Sequence, residues 1–252
     1  MNTAASQIIV TRPSPSGEAL CVELEANNFF SLHCPLISFE ADTNYSESIG
    51  FETLQRTSVW IFISRQAVDY CFQPFNDDTT QRLHQLRHKK HIIAVGDATA
   101  DSLQQLGFEP RVPNTPDSEG IIELIEHDGL TQDTTVLIRG NKGRGLLEDY
   151  FRNEQLTSMP VYKRNETNNT FPALSKNTTY QNTAIVVTSG QLLQLVTQQI
   201  SAHSKTSVTI IAGSQRISEM AQHIGFTNCY TAKNASNSEL LKSCILWRND
   251  VS

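Results

Sequence analysis

The feature that most constrains this 252-residue chain is that it repeats itself. The segment VWIFISRQAVDY (59–70) resembles AIVVTSGQLLQL (184–195), and AVGDATADSLQQLGF (94–108) resembles IAGSQRISEMAQHIGF (211–226). The stretch PNTPDSEGIIELI (113–125) resembles KNASNSELLKSCI (233–245). A second kind of unit recurs as IIVTRPSPSGEAL (8–20) and VLIRGNKGRGLLEDY (136–150). Both of its copies run apolar strand, Arg, small-residue turn, helix. The two kinds alternate with a period of roughly 120 residues, which is too long for a solenoid and fits duplication of a whole domain.

Most of these units open with a short apolar run rich in Val and Ile, followed by small or polar residues and then apolar residues at helical spacing. Such runs read as strands buried on both faces, and their alternation with helices means a parallel sheet. Strands are predicted over 7–11, 30–34, 36–39, 59–63, 91–95, 135–138, 159–162, 184–188 and 208–212. Helices are predicted over 18–28, after Ser64 through Val68 and Cys71, from Gly96 to Gly107, from Ser118 through Ile125, over 144–153, after Ser189, from Gly213 to Gly225, and over 236–247. Residues 163–182, rich in Asn, Thr and Ser, read as a linker plus one poor helix. The expected class is α/β, with two similar domains, each a parallel sheet flanked by helices.

Several function classes are disfavoured. A net charge of −6 argues against a protein that grips a nucleic-acid backbone. The five cysteines are odd in number and form no CxxC pair, which speaks for a reducing compartment rather than a disulfide or zinc scaffold. The start MNTAASQIIVTRP lacks a basic n-region, and no apolar run reaches the roughly 18 residues of a membrane span, so a cytoplasmic protein is expected. The sequons at Asn44, Asn168 and Asn234 are then coincidences of an Asn-rich chain. Gly140 to Gly145 is not followed by Lys-Ser/Thr, no GxGxxG follows a strand, and no HExxH or GxSxG occurs. The seven histidines form no ligand cluster, so no metal is expected, and His88 to His91 reads as the solvated end of a helix.

In open parallel sheets, ligands bind beyond the carboxyl ends of the strands, at helix N-termini. Those positions here are Arg12; Ser64, Arg65 and Gln66; Gly96 to Thr99; Arg139 and Gly140; Ser189, Gly190 and Gln191; and Gly213, Ser214 and Gln215. Each of Ser64, Ser118, Ser189 and Ser236, taken alone, is explained by helix capping. Their recurrence at strand ends in both halves points to one shared anion-binding cleft.

In order along the chain, VTRP, FISRQAV, AVGDATADSLQQLGF, RGNKGRGLLEDYF, VYKR and VVTSG resemble the uroporphyrinogen-III synthases, and the resemblance runs from Ile8 to about Ile245. It implies a cofactor-free, monomeric lyase of haem biosynthesis. Such an enzyme closes hydroxymethylbilane, a linear tetrapyrrole with eight carboxylates, to uroporphyrinogen III. Water is lost and the last ring is inverted. It also implies that residues 1–36 join 168–252 as one domain, that 37–167 form the other, and that two crossing extended segments link them. Each domain then holds one copy of each repeat unit. By the same resemblance Tyr162 in VYKR faces the cleft as the proton donor, since a phenol with a pKa of about 10 carries its proton at neutral pH. Thr99, Ser64 and Ser189 match cleft hydroxyls of the family, and the strand-end positions Arg12, Arg65, Gln66, Gly96, Arg139, Gly190, Ser214 and Gln215 complete the expected substrate contacts on their placement alone. Lys142 and Arg144 are further cations near that turn. In the second half Ser214, Gln215 and Arg216 replace a Thr-containing turn of the family. The alternative reading is a non-catalytic two-domain protein that binds an anion or a tetrapyrrole.

Overall fold

The computed structural model describes residues 6–143, 145–151, 155–171 and 182–251. In chain order the elements begin with β1 (Gln7–Val10), α1 (Ser16–Ala26), β2 (Phe30–His33), β3 (Ile37–Ala41), α2 (Glu47–Arg56), β4 (Val59–Phe62) and α3 (Arg65–Phe72). There follow α4 (Asp77–Leu86), β5 (His91–Ala94), α5 (Asp97–Gln105), α6 (Ser118–His127), β6 (Thr135–Gly140), α7 (Leu146–Tyr150) and β7 (Leu156–Glu166). The chain continues through β8 (Thr183–Val187), α8 (Gly190–Gln199), β9 (Thr209–Ala212), α9 (Gln215–His223), β10 (Asn228–Thr231) and α10 (Asn237–Val251). The chain divides into two compact units, one of residues up to Ser38 together with Asn165 onward, the other Phe39–Arg164. It passes between them twice, inside β3 and inside β7.

In the first unit the strands lie in the order β10-β9-β8-β1-β2, all in parallel pairs. In the second the order is β3-β7-β6-β4-β5, with β7, β6, β4 and β5 parallel. The two patterns superpose when β6, β7, β4 and β5 are set on β1, β2, β8 and β9. The register makes this exact to the residue. Ala184 pairs with Ile8 in one sheet and Val59 with Thr135 in the other. Counting four residues on from Ile8 and Thr135 brings Arg12 and Arg139 to the same place. Gly107 and Gly225, at φ of 81° and 102°, end α5 and α9 alike, and Phe108 and Phe226 after them are buried alike. The isolated bridge between Ile93 and Arg111 stands where the other unit has β10.

The central strands β4, β8 and β9 are buried at every residue, as sheets covered on both faces require. In the second unit Trp60, Phe62, Val136 and Ile138 face α3 and α5. Val59, Ile61, Ile93 and Leu137 face Ile121 and Ile125 of α6 and Leu147 of α7. In the first unit Ile8, Val10, Ala184 and Val186 pack on α1 and α10, where Trp247 is fully buried.

The structure departs from the sequence reading at several elements. α2 was not expected, and α4 was expected only through its solvated end, read at His88 to His91. α2 buries Gly50 and Thr53 beside Phe51 and Leu54, and α4 buries only Thr79 and Leu83, so neither carries a clear apolar stripe. β10, of sequence NCYT, is an edge strand with no apolar run. β7 continues to Glu166, four residues into the stretch read as linker, and residues 172–181 of that stretch lie outside the described residues. The helix expected over 144–153 is confined to α7, with residues 144 and 152–154 outside the described set. The cap of α6 is Asp117, whose carboxylate accepts from Gly120 N at 2.8 Å, and not Ser118.

Each unit contains one of the two tryptophans, and their indole N–H groups differ. Trp60 Nε1 donates to the Leu54 carbonyl at 3.0 Å, whereas Trp247 Nε1 finds no hydrogen-bond partner among the described residues. Trp60→Phe leaves a buried carbonyl unpaired, at a cost of about 1–3 kcal/mol beyond the packing loss, while Trp247→Phe removes an unsatisfied donor. Urea unfolding followed by circular dichroism should therefore show the larger loss of stability for Trp60→Phe. Equal losses would contradict the difference.

Candidate active site

In the second unit the connection from β6 runs one way, to β7, and that from β4 runs the other way, to β5. The crevice between the carboxyl ends of β6 and β4 is thus a topological switch point, where open α/β sheets hold their ligands. Two connections begin there, one at Ile63 to Arg65 and the other at Gly140 to Gly143.

Ser64 follows β4 in an extended conformation and caps α3, its Oγ accepting from Ala67 N at 3.0 Å. The same Oγ lies 3.2 Å from the Tyr162 hydroxyl. Tyr162 reaches it because the pairing of β6 with β7 slips. Ile138 faces Met159 and Arg139 faces Pro160, but Gly140 faces Tyr162, so Val161 is an extra residue in β7. Such a bulge re-aims the side chain that follows it, and Pro160, which has no N–H to give the ladder, sits where bulges tolerate proline. Val161 and Tyr162, neighbours in sequence, consequently share one core. Gly140 completes the arrangement, because a Cβ there would stand 2.6 Å from the Tyr162 ring. Asn141 N also donates to the Tyr162 carbonyl at 2.9 Å.

The Tyr162 ring is 8% exposed and is held between two aromatics. Phe39 meets it edge-on at 5.5 Å, and Tyr70 lies tilted at 5.7 Å. The Tyr70 hydroxyl donates to the Phe39 carbonyl at 2.9 Å and so ties the two walls together. Burial raises the Tyr70 pKa above the ordinary phenol value, with smaller pushes from Asp69 and Glu40. Phe39 and Tyr70 were not singled out from sequence; only the slip of β7 puts them against Tyr162.

Arg139 points the other way. Its Nε donates to the Gly140 carbonyl at 3.2 Å and its Nη1 forms an ion pair with Glu148. Burial pushes its pKa down from the ordinary guanidinium value, and Tyr162 acts in the opposite direction. Beside it lies a cavity of about 290 Å³ reaching Ile63, Val95, Leu137 and the start of α6. Glu148 and Gly143 of this surround were also not foreseen.

The other expected residues of this unit are nearby but engaged otherwise. Arg65 is exposed and pairs loosely with Asp69 at 3.8 Å. Gln66 is half-buried in the first turn of α3. Gly96 caps α5 through its carbonyl, which accepts from Thr99 N and Ala100 N at 3.0 Å. Thr99 is 4% exposed, inside the first turn rather than at its tip. Lys142 is exposed, and Arg144 lies outside the described residues.

In the first unit β1 and β2 keep unbroken register from Gln7 and Phe30 to Val10 and His33, so nothing corresponds to the slip beside Tyr162. Ser189 caps α8 through Leu192 N at 3.2 Å, and Ser214 caps α9 through Ile217 N at 3.4 Å. Gly190 opens α8 against Met220, and Gln215 donates to Glu219 at 3.0 Å. Ile217 stands five residues after Ala212, as Thr99 stands five after Ala94, and is buried. The Thr99 position is therefore apolar in this unit. Arg12 donates to Asn237 of α10. Among the described residues no group of three or more His, Cys, Asp and Glu could hold a metal ion, and no helix is long and apolar enough to cross a membrane.

Comparison with known proteins agrees with this architecture. The uroporphyrinogen-III synthase family model matches residues 18–242. The uroporphyrinogen-III synthase of Salmonella typhimurium is 28% identical over 247 residues, covering 94% of this chain and 98% of the relative. That of Escherichia coli is 27% identical over 252 residues, with the same coverage, 94% and 98%. Among solved structures, a mutant uroporphyrinogen III synthase of Thermus thermophilus superposes with a TM-score of 0.66 at 13% identity, over 98% of this chain and 100% of that one. The Helicobacter pylori enzyme does so with a TM-score of 0.58 at 16% identity, over 98% and 99%. These two show the shared fold, and the family match over most of the sequence shows that this chain belongs to the uroporphyrinogen-III synthase family.

Proposed function

We propose that the pair formed by Ser64 and Tyr162 is the reacting centre of this enzyme, a cyclising hydro-lyase of haem biosynthesis that converts hydroxymethylbilane to uroporphyrinogen III. The observation that carries the assignment is the 3.2 Å contact between the two hydroxyls at the switch point of the second sheet. Ser64 Oγ is fixed by the Ala67 N–H, which leaves its own proton free to orient the Tyr162 oxygen. Tyr162 gives its proton to the terminal hydroxyl of the substrate, which departs as water while electrons from the adjacent pyrrole form an azafulvene. The substituted α-carbon of the last ring then attacks the azafulvene to give a spirocycle; its old bond to the bridging methylene breaks and re-forms at the unsubstituted α-carbon of that ring, and the proton displaced from that carbon returns to the tyrosine. Without an enzyme the chain closes with no inversion, so the larger task is to hold the substrate in shape.

Its carboxylates have two kinds of partner in this reading. Arg139 and Arg65 supply charge. Backbone N–H groups of the first helical turns near Ser64, Gln66, Gly96, Thr99, Ser189, Gly190, Ser214 and Gln215 supply hydrogen bonds. Arg12, bonded to Asn237, shapes the turn after β1. The reading takes the chain to act as a cytoplasmic monomer, with 1–36 plus 168–252 and 37–167 as the domains that hold the substrate.

Tyr162→Phe should lower kcat by about 10²–10⁴, the range of general-acid catalysis, with little change in KM. Ser64→Ala should cost less in kcat and about 0.5–2 kcal/mol in stability through the lost cap. Thr99→Ala should leave kcat nearly unchanged. A folded Tyr162→Phe protein as fast as the parent, assayed by type III isomer formed, would contradict the role of Tyr162. A second expectation follows from the close approach at Gly140. Gly140→Ala should displace the Tyr162 ring and reduce kcat, yet add little once Tyr162 is already Phe. A full additional loss in that background would show that Gly140 acts on something else.

A further inference from the structure

The cavity beside Arg139 lies within the second unit, between the ends of β4, β5 and β6 and the starts of α6 and α7. At about 290 Å³ it falls near the lower end of small-molecule pockets, roughly 300–1,000 Å³, and suits one ring rather than a whole tetrapyrrole. Its floor is apolar, made by Ile63, Val95, Ile121 and Leu137, and among the described residues that line it the one cation is Arg139. The Arg139 side chain is 11% exposed and is met by Glu148, which is 31% exposed on the five-residue helix α7. Gly143 leaves room for the guanidinium, which any Cβ there would overlap.

A guanidinium so far from water needs a carboxylate at all times, because leaving it unpaired costs several kcal/mol. A ligand carboxylate meets that need as well as Glu148 does. Exchanging one for the other keeps Arg139 paired and releases Glu148 to solvent, which it already touches. The planar fork of Arg139 can take either carboxylate in the same geometry. In the first unit Arg12, at the same register position, donates to the amide oxygen of Asn237. In the cavity Asp117 already serves α6 as its cap, and an acidic side chain at that rim disfavours a second anionic arm.

We propose that this cavity is a subsite for a single pyrrole ring bearing a carboxylate arm, and that Glu148 is an internal stand-in for that carboxylate, held by Arg139 until the ring displaces it. The ligand class rests on the function proposed above, whereas the exchange itself rests on the geometry of Arg139 and Glu148. Glu148 then sets substrate affinity by competing for Arg139, and takes no part in proton transfer.

The test is calorimetric titration of the full chain with a free monopyrrole carrying one acetate and one propionate arm. Glu148→Gln removes the competitor and should tighten binding roughly three- to tenfold. Arg139→Gln should weaken it by roughly thirtyfold or more. A monopyrrole without carboxylates should not bind. Melting temperatures check folding, and if Glu148→Gln does not fold, Glu148→Asp, which keeps the charge but shortens the reach, decides the matter by binding more tightly than the parent. No binding to the parent, equal or weaker binding to the folded Glu148 variant, or undiminished binding to Arg139→Gln would overturn the proposal. A failure of the proton-transfer reading shows instead as a fast Tyr162→Phe enzyme and leaves this titration unchanged.

Discussion

The slip in register between β6 and β7 is the constraint on which the candidate site depends. In regular pairing, successive side chains of a strand point to opposite faces, so Val161 and Tyr162 could not both enter one core. The extra residue turns the phenol toward the end of β4, where Ser64 waits as the cap of α3. The absent side chain at Gly140 makes the space, and Phe39 and Tyr70 hold the ring once it is there. Four local features, a proline, a glycine, a helix cap and an aromatic wall, thus act as one device.

Duplication explains the scaffold, and the departures from it explain the chemistry. Both units share strand order, register, capping serines after the third strand of the pattern, and left-handed glycines at the same helix ends. They differ around the proposed reacting centre. The second unit has the bulge, the tyrosine, a buried Thr99 and an arginine paired to an acid. The first has straight pairing, Ile217 and an arginine bonded to an amide.

Much of the fold was legible in the sequence because two-sided burial writes strands as unbroken apolar runs, as in VWIFI and AIVVT, and because Gly or Ser marks the helix starts that follow. α2 and the body of α4 escaped notice since their buried faces are made of Gly50, Thr53 and Thr79 as much as of Leu and Phe. β10 escaped because an edge strand can be polar. For the candidate site, Ser64 could be picked out by its place after a strand, and Tyr162 only through the resemblance of VYKR. That they touch was beyond reach, because a bulge arises from how two distant strands pair and leaves no periodic trace. The pairing of Arg139 with Glu148 was hidden for a similar reason, since it depends on where the short α7 begins.

The central claim is that Ser64 and Tyr162 act as one unit on the departing hydroxyl. A double-mutant cycle on kcat, with Ser64→Ala, Tyr162→Phe and the pair, tests it most directly. If Ser64 works only by orienting the Tyr162 oxygen, its substitution should cost almost nothing once the phenol is gone, a coupling within the range of about 0.5–3 kcal/mol seen for residues in one network. Strictly additive losses would show that the two hydroxyls act independently and would contradict the account.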